Sequence, residues 1–164
     1  MSTQLATSNT AATVFSTQEL LKHWQGHRGL TRKMIVAFPE DKLFTYSIGG
    51  MRPFADLVYE FLGMAVPGLN GMITGKWEKW ADAEKVNTKD ELLALWDHAT
   101  AEINRLWPNI PPHRFEEQDV AFGQWPGTGT SFLFYYIDNE IHHRGQGYVY
   151  LRSLGIEPPA FWDR

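Results

Sequence analysis

Residues return at helical spacing in four segments of the chain. In the first, Leu20, Trp24, Met34 and Phe38 alternate with His27 and Thr31 at steps of three or four, the rhythm of one helix face. Ser16-Thr17-Gln18-Glu19 in front of it has the S-x-x-E form of a capping box. Pro39 cannot continue a helix, so the pattern predicts one from about Thr17 to Phe38. "EDKLFTYSIGG" then reads as a loop closed by two glycines. A second helix is predicted from Pro53, a residue suited to a first turn, with Phe54, Leu57, Phe61, Met64 and Ala65 as its stripe. Pro67 and Gly68 are expected to kink or end it, with a short piece continuing to Gly71 or Ile73.

Thr88-Lys89-Asp90-Glu91 is a second capping box. It opens a third helix to about Leu106, lined by Leu92, Leu95, Trp96, Ala99, Ile103 and Leu106. "WPNIPPHR" stops it, and residues 107–128 read as one long connection. "PGTGT", Pro126 to Thr130, signals a loop and cap before a fourth helix that runs to about Leu154. Gly155, Pro158 and Pro159 end that helix. The predicted fold is therefore all-α: a four-helix bundle with a long connection between the third and fourth helices. Residues 16–164 are expected to form a single domain, and residues 1–15, rich in Ser, Thr and Ala, are expected to form a flexible lead-in.

The fourth helix carries the chemistry. Phe132, Tyr136, Asn139, His143, Gln146 and Tyr150 are spaced 4, 3, 4, 3 and 4, a heptad seam of the kind that faces a bundle core. Its middle is polar, and a buried polar group without a partner costs about 1–3 kcal/mol. These three groups need partners, a ligand or water. Asn139 and His143 stand one turn apart on one face and can grip a single metal ion. Asp138 and His142 have the same spacing, rotated by about 100°; they read as a solvated surface pair, and the seam favours Asn139 and His143. On the second helix Glu60 sits beside the apolar stripe, where it either faces the interior and meets His143 or forms a surface pair.

Composition narrows the chemistry further. The 164 residues carry no cysteine, so a metal here must use His, carboxylate, amide or water. The absence of Cys suits a cytoplasmic protein. A net charge of −4 with no gathering of basic residues argues against nucleic acid as a partner. No apolar run reaches the ~20 residues that span a bilayer, and "MSTQLATSNTAATVF" lacks the basic and apolar regions of a secretory signal. Seven Trp, six Tyr and ten Phe give many flat side chains for a core or a ligand pocket.

"IHHRGQGYVYLRSLG" at the end of this pattern resembles the DinB/YfiT-like superfamily. "MRPFADLVYEFLG" is similar to that family's second-helix segment and "HWQGHRGLTRKMIVAFPEDKL" to its first helix and loop. Termination soon after "YLRSLGIEPP" also fits. The resemblance implies a four-helix bundle, commonly a homodimer, with a divalent metal held by three histidines, one from the second helix and two from the fourth at H-x3-H spacing. Thiol-dependent S-transferases and a mycothiol-dependent isomerase are among its relatives. Carried over by position, the second-helix histidine falls on Glu60, and the fourth-helix pair falls on Asn139 and His143, so only His143 keeps the family residue. Glu60, Asn139 and His143 are the metal-ligand set this implies. An oxygen-rich trio of that kind admits Zn, Ni or Mn. No catalytic residue is assigned.

Two functions follow. In one, the chain is a divalent-metal-dependent enzyme that transfers a low-molecular-weight thiol to a small electrophile, with Trp24, Tyr59, Trp125 and Tyr136 walling the substrate. In the other, the metal site is lost. Glu60, Asn139 and His143 then form a buried polar network in a non-catalytic dimeric bundle that binds a small molecule or serves a structural role. Arg144 and Gln146 are expected to order the helix rather than to do chemistry.

Overall fold

The computed structural model describes residues 14–164. The expected lead-in over residues 1–15 lies, up to residue 13, outside the described residues. Both capping boxes form. Ser16 and Glu19 exchange hydrogen bonds at the start of α1 (Thr17–Ala37). After a single-turn α2 (Glu40–Leu43), α3 runs from Phe54 to Thr74. Thr88 and Glu91 close the second box at the start of α4 (Lys89–Leu106). The last helix, α5 (Gly129–Ser153), is capped by the Thr128 hydroxyl, which accepts from the Ser131 amide.

The four long helices pack in a ring, with α3 against α4 and α5, and α1 against the same two. Two apolar clusters fill it. One gathers Trp24, Leu69, Ile103, Leu133 and Ile137, the other Met34, Phe54, Trp96, Tyr150 and Leu151. Close approach of α5 to α3 depends on Gly147, where a Cβ would stand 2.6 Å from the Phe54 ring. No helix among the described residues is long and apolar enough to cross a membrane.

Three expectations need correction. The fold is not strictly all-α, and α2 makes five helices among the described residues. Residues 107–128 are not a plain connection. They make two short 3-10 turns and an antiparallel hairpin, β1 (Gln118–Ala121) with β2 (Trp125–Thr128), in which Ala121 pairs with Trp125. Two four-residue strands are too short to announce themselves by alternation. Thirdly, Pro67 lies inside α3, which continues to Thr74 and ends on left-handed Gly75 (φ 69°). The helix tolerates the missing donor because both of its faces are held by packing: Met64, Ala65, Leu69 and Met72 are all buried.

The hairpin is tied to the end of α3. Arg114 donates to the Met72 carbonyl at 2.8 Å and pairs with Asp119 of β1. The Trp77 indole donates to the same carboxylate at 2.8 Å. These contacts hold the hairpin beside α3 and α5 as a third wall.

Candidate functional site

Glu60 enters from the second turn of α3, and Asn139 and His143 enter from α5 one turn apart. The helix packing brings all three together. The Asn139 amide nitrogen donates to Glu60 Oε1 at 2.9 Å, and His143 Nε2 stands 3.4 Å from the same oxygen. All three side chains are largely withdrawn from water; Glu60 and His143 keep 14% and 15% of their side-chain exposure. Asp138 and His142 point outward and are exposed, as the seam predicts.

Sequence reasoning missed Arg52. It lies just before α3, and its guanidinium pairs with Glu60 Oε2. The Tyr150 hydroxyl anchors the Arg52 carbonyl from α5 at 3.0 Å. Arg52 and Glu60 are eight residues apart across a loop-to-helix junction, a spacing that no periodic rule marks. The carboxylate is thus divided: Arg52 holds one oxygen, while Asn139 and His143 face the other. Burial alone would push the Glu60 carboxyl up. The hydrogen bonds from Asn139 and Arg52 outweigh it and hold the group below the usual range. Burial pushes His143 below its ordinary value, against the opposing pull of Glu60 and Gln146, so the imidazole is neutral near pH 7.

The donor set fits a divalent cation by chemistry. Among the described residues no group of three His, Cys, Asp or Glu side chains gathers, because the third donor here is an amide. Asn139 Oδ1 is buried with no hydrogen-bond partner among the described residues. Oxygen and nitrogen of an amide are assigned from such partners. Turned over, Asn139 would set its oxygen against Glu60 Oε1, an approach that only a cation between them makes favourable. Donors sharing one ion at about 2.1 Å lie about 3.0–3.4 Å apart, close to the 2.9 and 3.4 Å separations here.

Glu60 also lines a cavity of about 460 Å³ between α3, α5 and the hairpin. Trp125 and Tyr136 wall it as expected, joined by Trp80, Phe122, Phe132 and Tyr135. Trp24 and Tyr59 do not. Trp24 is buried in the core, and Tyr59 is also buried and donates to the Val86 carbonyl at 2.9 Å. The Tyr136 hydroxyl is buried without a partner among the described residues, over Gly68 of α3, where a Cβ would meet it at 2.5 Å.

One residue round α5 from the seam lies a second polar stripe, Glu140 and Arg144, both fully buried. Thr31 donates to Glu140. Arg144 reaches the His27 carbonyl at 3.1 Å and His27 Nδ1 at 2.8 Å. Arg28 stacks 3.7 Å over Trp96 and donates to Thr100 at 2.8 Å. Burial, then the Arg144 charge, push His27 down to about 3, so its Nδ1 accepts. This network cross-links α1, α4 and α5. Through it Arg144 ties α5 to His27 and Thr31 of α1. Gln146 instead stays half-buried beside His142, at 3.4 Å.

The sequence profile of the DinB family matches residues 1–163; the chain belongs to that family. Solved structures share its fold. A DinB-like protein from Bacillus subtilis, 18% identical, superposes with a TM-score of 0.69 over 88% of this chain and 97% of its own. One from Bacillus cereus, also 18% identical, gives 0.70 over 87% and 95%. The mycothiol-dependent maleylpyruvate isomerase, 13% identical, gives 0.63 over 81% of this chain and 61% of its own. No curated protein matches. At these identities the likeness is one of fold.

Proposed function

From its place in the DinB family, we propose that this chain is a divalent-metal-dependent enzyme that transfers a low-molecular-weight thiol to a small electrophile. The observation that carries the reading is the convergence of Asn139 and His143 on one oxygen of Glu60, at 2.9 and 3.4 Å, beside an aromatic cavity. The fold shared with a mycothiol-dependent isomerase supports the thiol. Glu60 Oε1, the Asn139 amide oxygen and His143 Nε2 would hold the ion. When bound, it would lower the pKa of a thiol sulfur and present it as thiolate.

The chain's own side chains prepare the site. Arg52 fixes Oε2 and keeps Glu60 ionised, which leaves Oε1 directed at Asn139 and His143. The neutral His143 keeps a lone pair available. The aromatic walls exclude water from a nucleophile that water would otherwise solvate. In the transfer, sulfur bonds to the electrophilic carbon, the leaving group departs with its electron pair, and the thiol proton passes to solvent.

As part of the same reading, the chain is a homodimer acting on a small molecule in the cytoplasm. Light scattering that returned the mass of one chain would refute the dimer. The activity is tested by following loss of free thiol with chlorodinitrobenzene in the presence of Zn, Ni or Mn. Metal-dependent consumption that Glu60→Ala abolishes is expected; no consumption with any of these ions would contradict the reading.

A second reading has one observation in its favour: the Arg52 guanidinium already supplies a cation to Glu60. In that case the trio is a polar network in a binding module, and metal is never taken up.

A further inference from the structure

The cavity beside Glu60 has an unusual lining. Trp80, Phe122, Trp125, Phe132, Tyr135 and Tyr136 form most of it. Among the described lining residues Glu60 is the only charged side chain, and there is no Lys, Arg or His. Both Glu60 oxygens already have neighbours, the Arg52 guanidinium on one and the Asn139 and His143 side chains on the other. An anionic ligand entering here would lose its hydration and meet no cation on the wall. An organic ammonium group would have to displace the Arg52, Asn139 or His143 side chain to pair with that carboxylate. Flat aromatic faces suit a flat uncharged ligand.

Phe122 strengthens the point. It occupies the hairpin turn with φ 53°, a left-handed conformation rare for a large side chain, and Gly123 follows at φ 72°. Asn or Gly would occupy that turn without strain. The strained backbone instead turns a Phe ring inward, 94% buried, between Trp77 at 5.4 Å and Trp125 at 6.0 Å. Strain retained at a cavity wall points to use of the side chain. Trp125 and Tyr135, 47% and 58% exposed, stand at the mouth.

We propose that this cavity seats an uncharged planar aromatic co-substrate, and that Phe122 and Trp125 set its selectivity. The inference rests on the proposed transfer only in calling this ligand the electrophile; the binding itself requires no metal.

Isothermal titration calorimetry of the protein in chelator tests it with three probes of one size: 2-naphthalenemethanol, 2-naphthoate and 2-naphthylmethylammonium. The alcohol is expected to bind at least tenfold more tightly than either charged probe. Phe122→Leu and Trp125→Ala, checked for unchanged far-UV circular dichroism, are each expected to weaken it at least tenfold. Equal or tighter binding of a charged probe, no binding of the alcohol, or variants that bind as well as the parent would overturn the proposal. Alcohol binding by a chain that takes up no metal would leave this inference standing and remove the metal reading. Metal uptake without alcohol binding would do the reverse.

Discussion

His143 of α5 stands 3.4 Å from Glu60 of α3, and both keep about one-seventh of their exposure. The contact joins two helices that pack directly against each other. Its geometry depends on how closely their backbones approach.

Gly147→Ala tests that dependence. The added Cβ would stand 2.6 Å from the Phe54 ring, itself fully buried. Either Phe54 shifts or α5 moves away from α3. Overpacking of this kind costs about 1–3 kcal/mol, and urea denaturation should show it. A change below about 0.5 kcal/mol would mean the helices are not locked at this point.

Arg52→Gln removes the cation from Glu60. The pair is half exposed on the Arg52 side, so the expected loss of stability is modest, about 1 kcal/mol or less. Its larger effect is on order. Glu60 Oε2 loses its anchor, and divalent-metal affinity measured by equilibrium dialysis should fall, with Arg52→Lys retaining part of it. Affinity unchanged in both variants would show that Arg52 does not position the carboxylate.

The buried stripe behaves differently. Glu140→Ala would leave Arg28 and Arg144 in the core without the carboxylate that both approach. Breaking a buried pair by removing one partner costs about 3–5 kcal/mol. Chemical denaturation should show that loss, while variants of Glu60 should show far less. A small effect at Glu140 would place the core's stability in the apolar clusters alone.

His27 sets an acid limit. Its folded value, about 3, lies below the 6.5 of an unfolded histidine. Below pH 6.5 the unfolded chain binds a proton that the folded chain refuses, so stability falls with pH between 6.5 and 3. For one proton the slope is at most about 1.4 kcal/mol per pH unit. His27→Gln should flatten that part of the stability–pH curve. An unchanged slope would assign the acid loss to other groups.

Much of this was legible in the residues, and the exceptions have physical causes. The capping boxes at Ser16 and Thr88 and the glycine at 155 fixed three helix boundaries to within a residue or two, because capping is local chemistry. The seam on the last helix brought Asn139 and His143 to one face, whereas the position of Glu60 beside its apolar stripe left two readings open, a surface pair or a turn toward them, and only the family resemblance placed it in the set. Periodicity does not show which of two adjacent stripes is drier: Glu140 and Arg144 are more deeply buried than Asn139 and His143. Nor does it reach Arg52, whose partner is set by the path of a loop, or Phe122, whose place in the cavity is set by a turn in an unpredicted hairpin. Pro67 continues a helix because tertiary packing overrides the local signal.

The metal content of the purified protein decides whether Glu60, Asn139 and His143 hold an ion. Protein prepared without a metal-affinity tag, alongside Glu60→Ala and His143→Ala, would be analysed for Zn, Ni and Mn before and after reconstitution. Close to one divalent ion per chain is expected in the parent, with a loss in both variants. An absence of metal in all three, even after reconstitution, would contradict it and leave Glu60, Asn139 and His143 as a polar network between two helices.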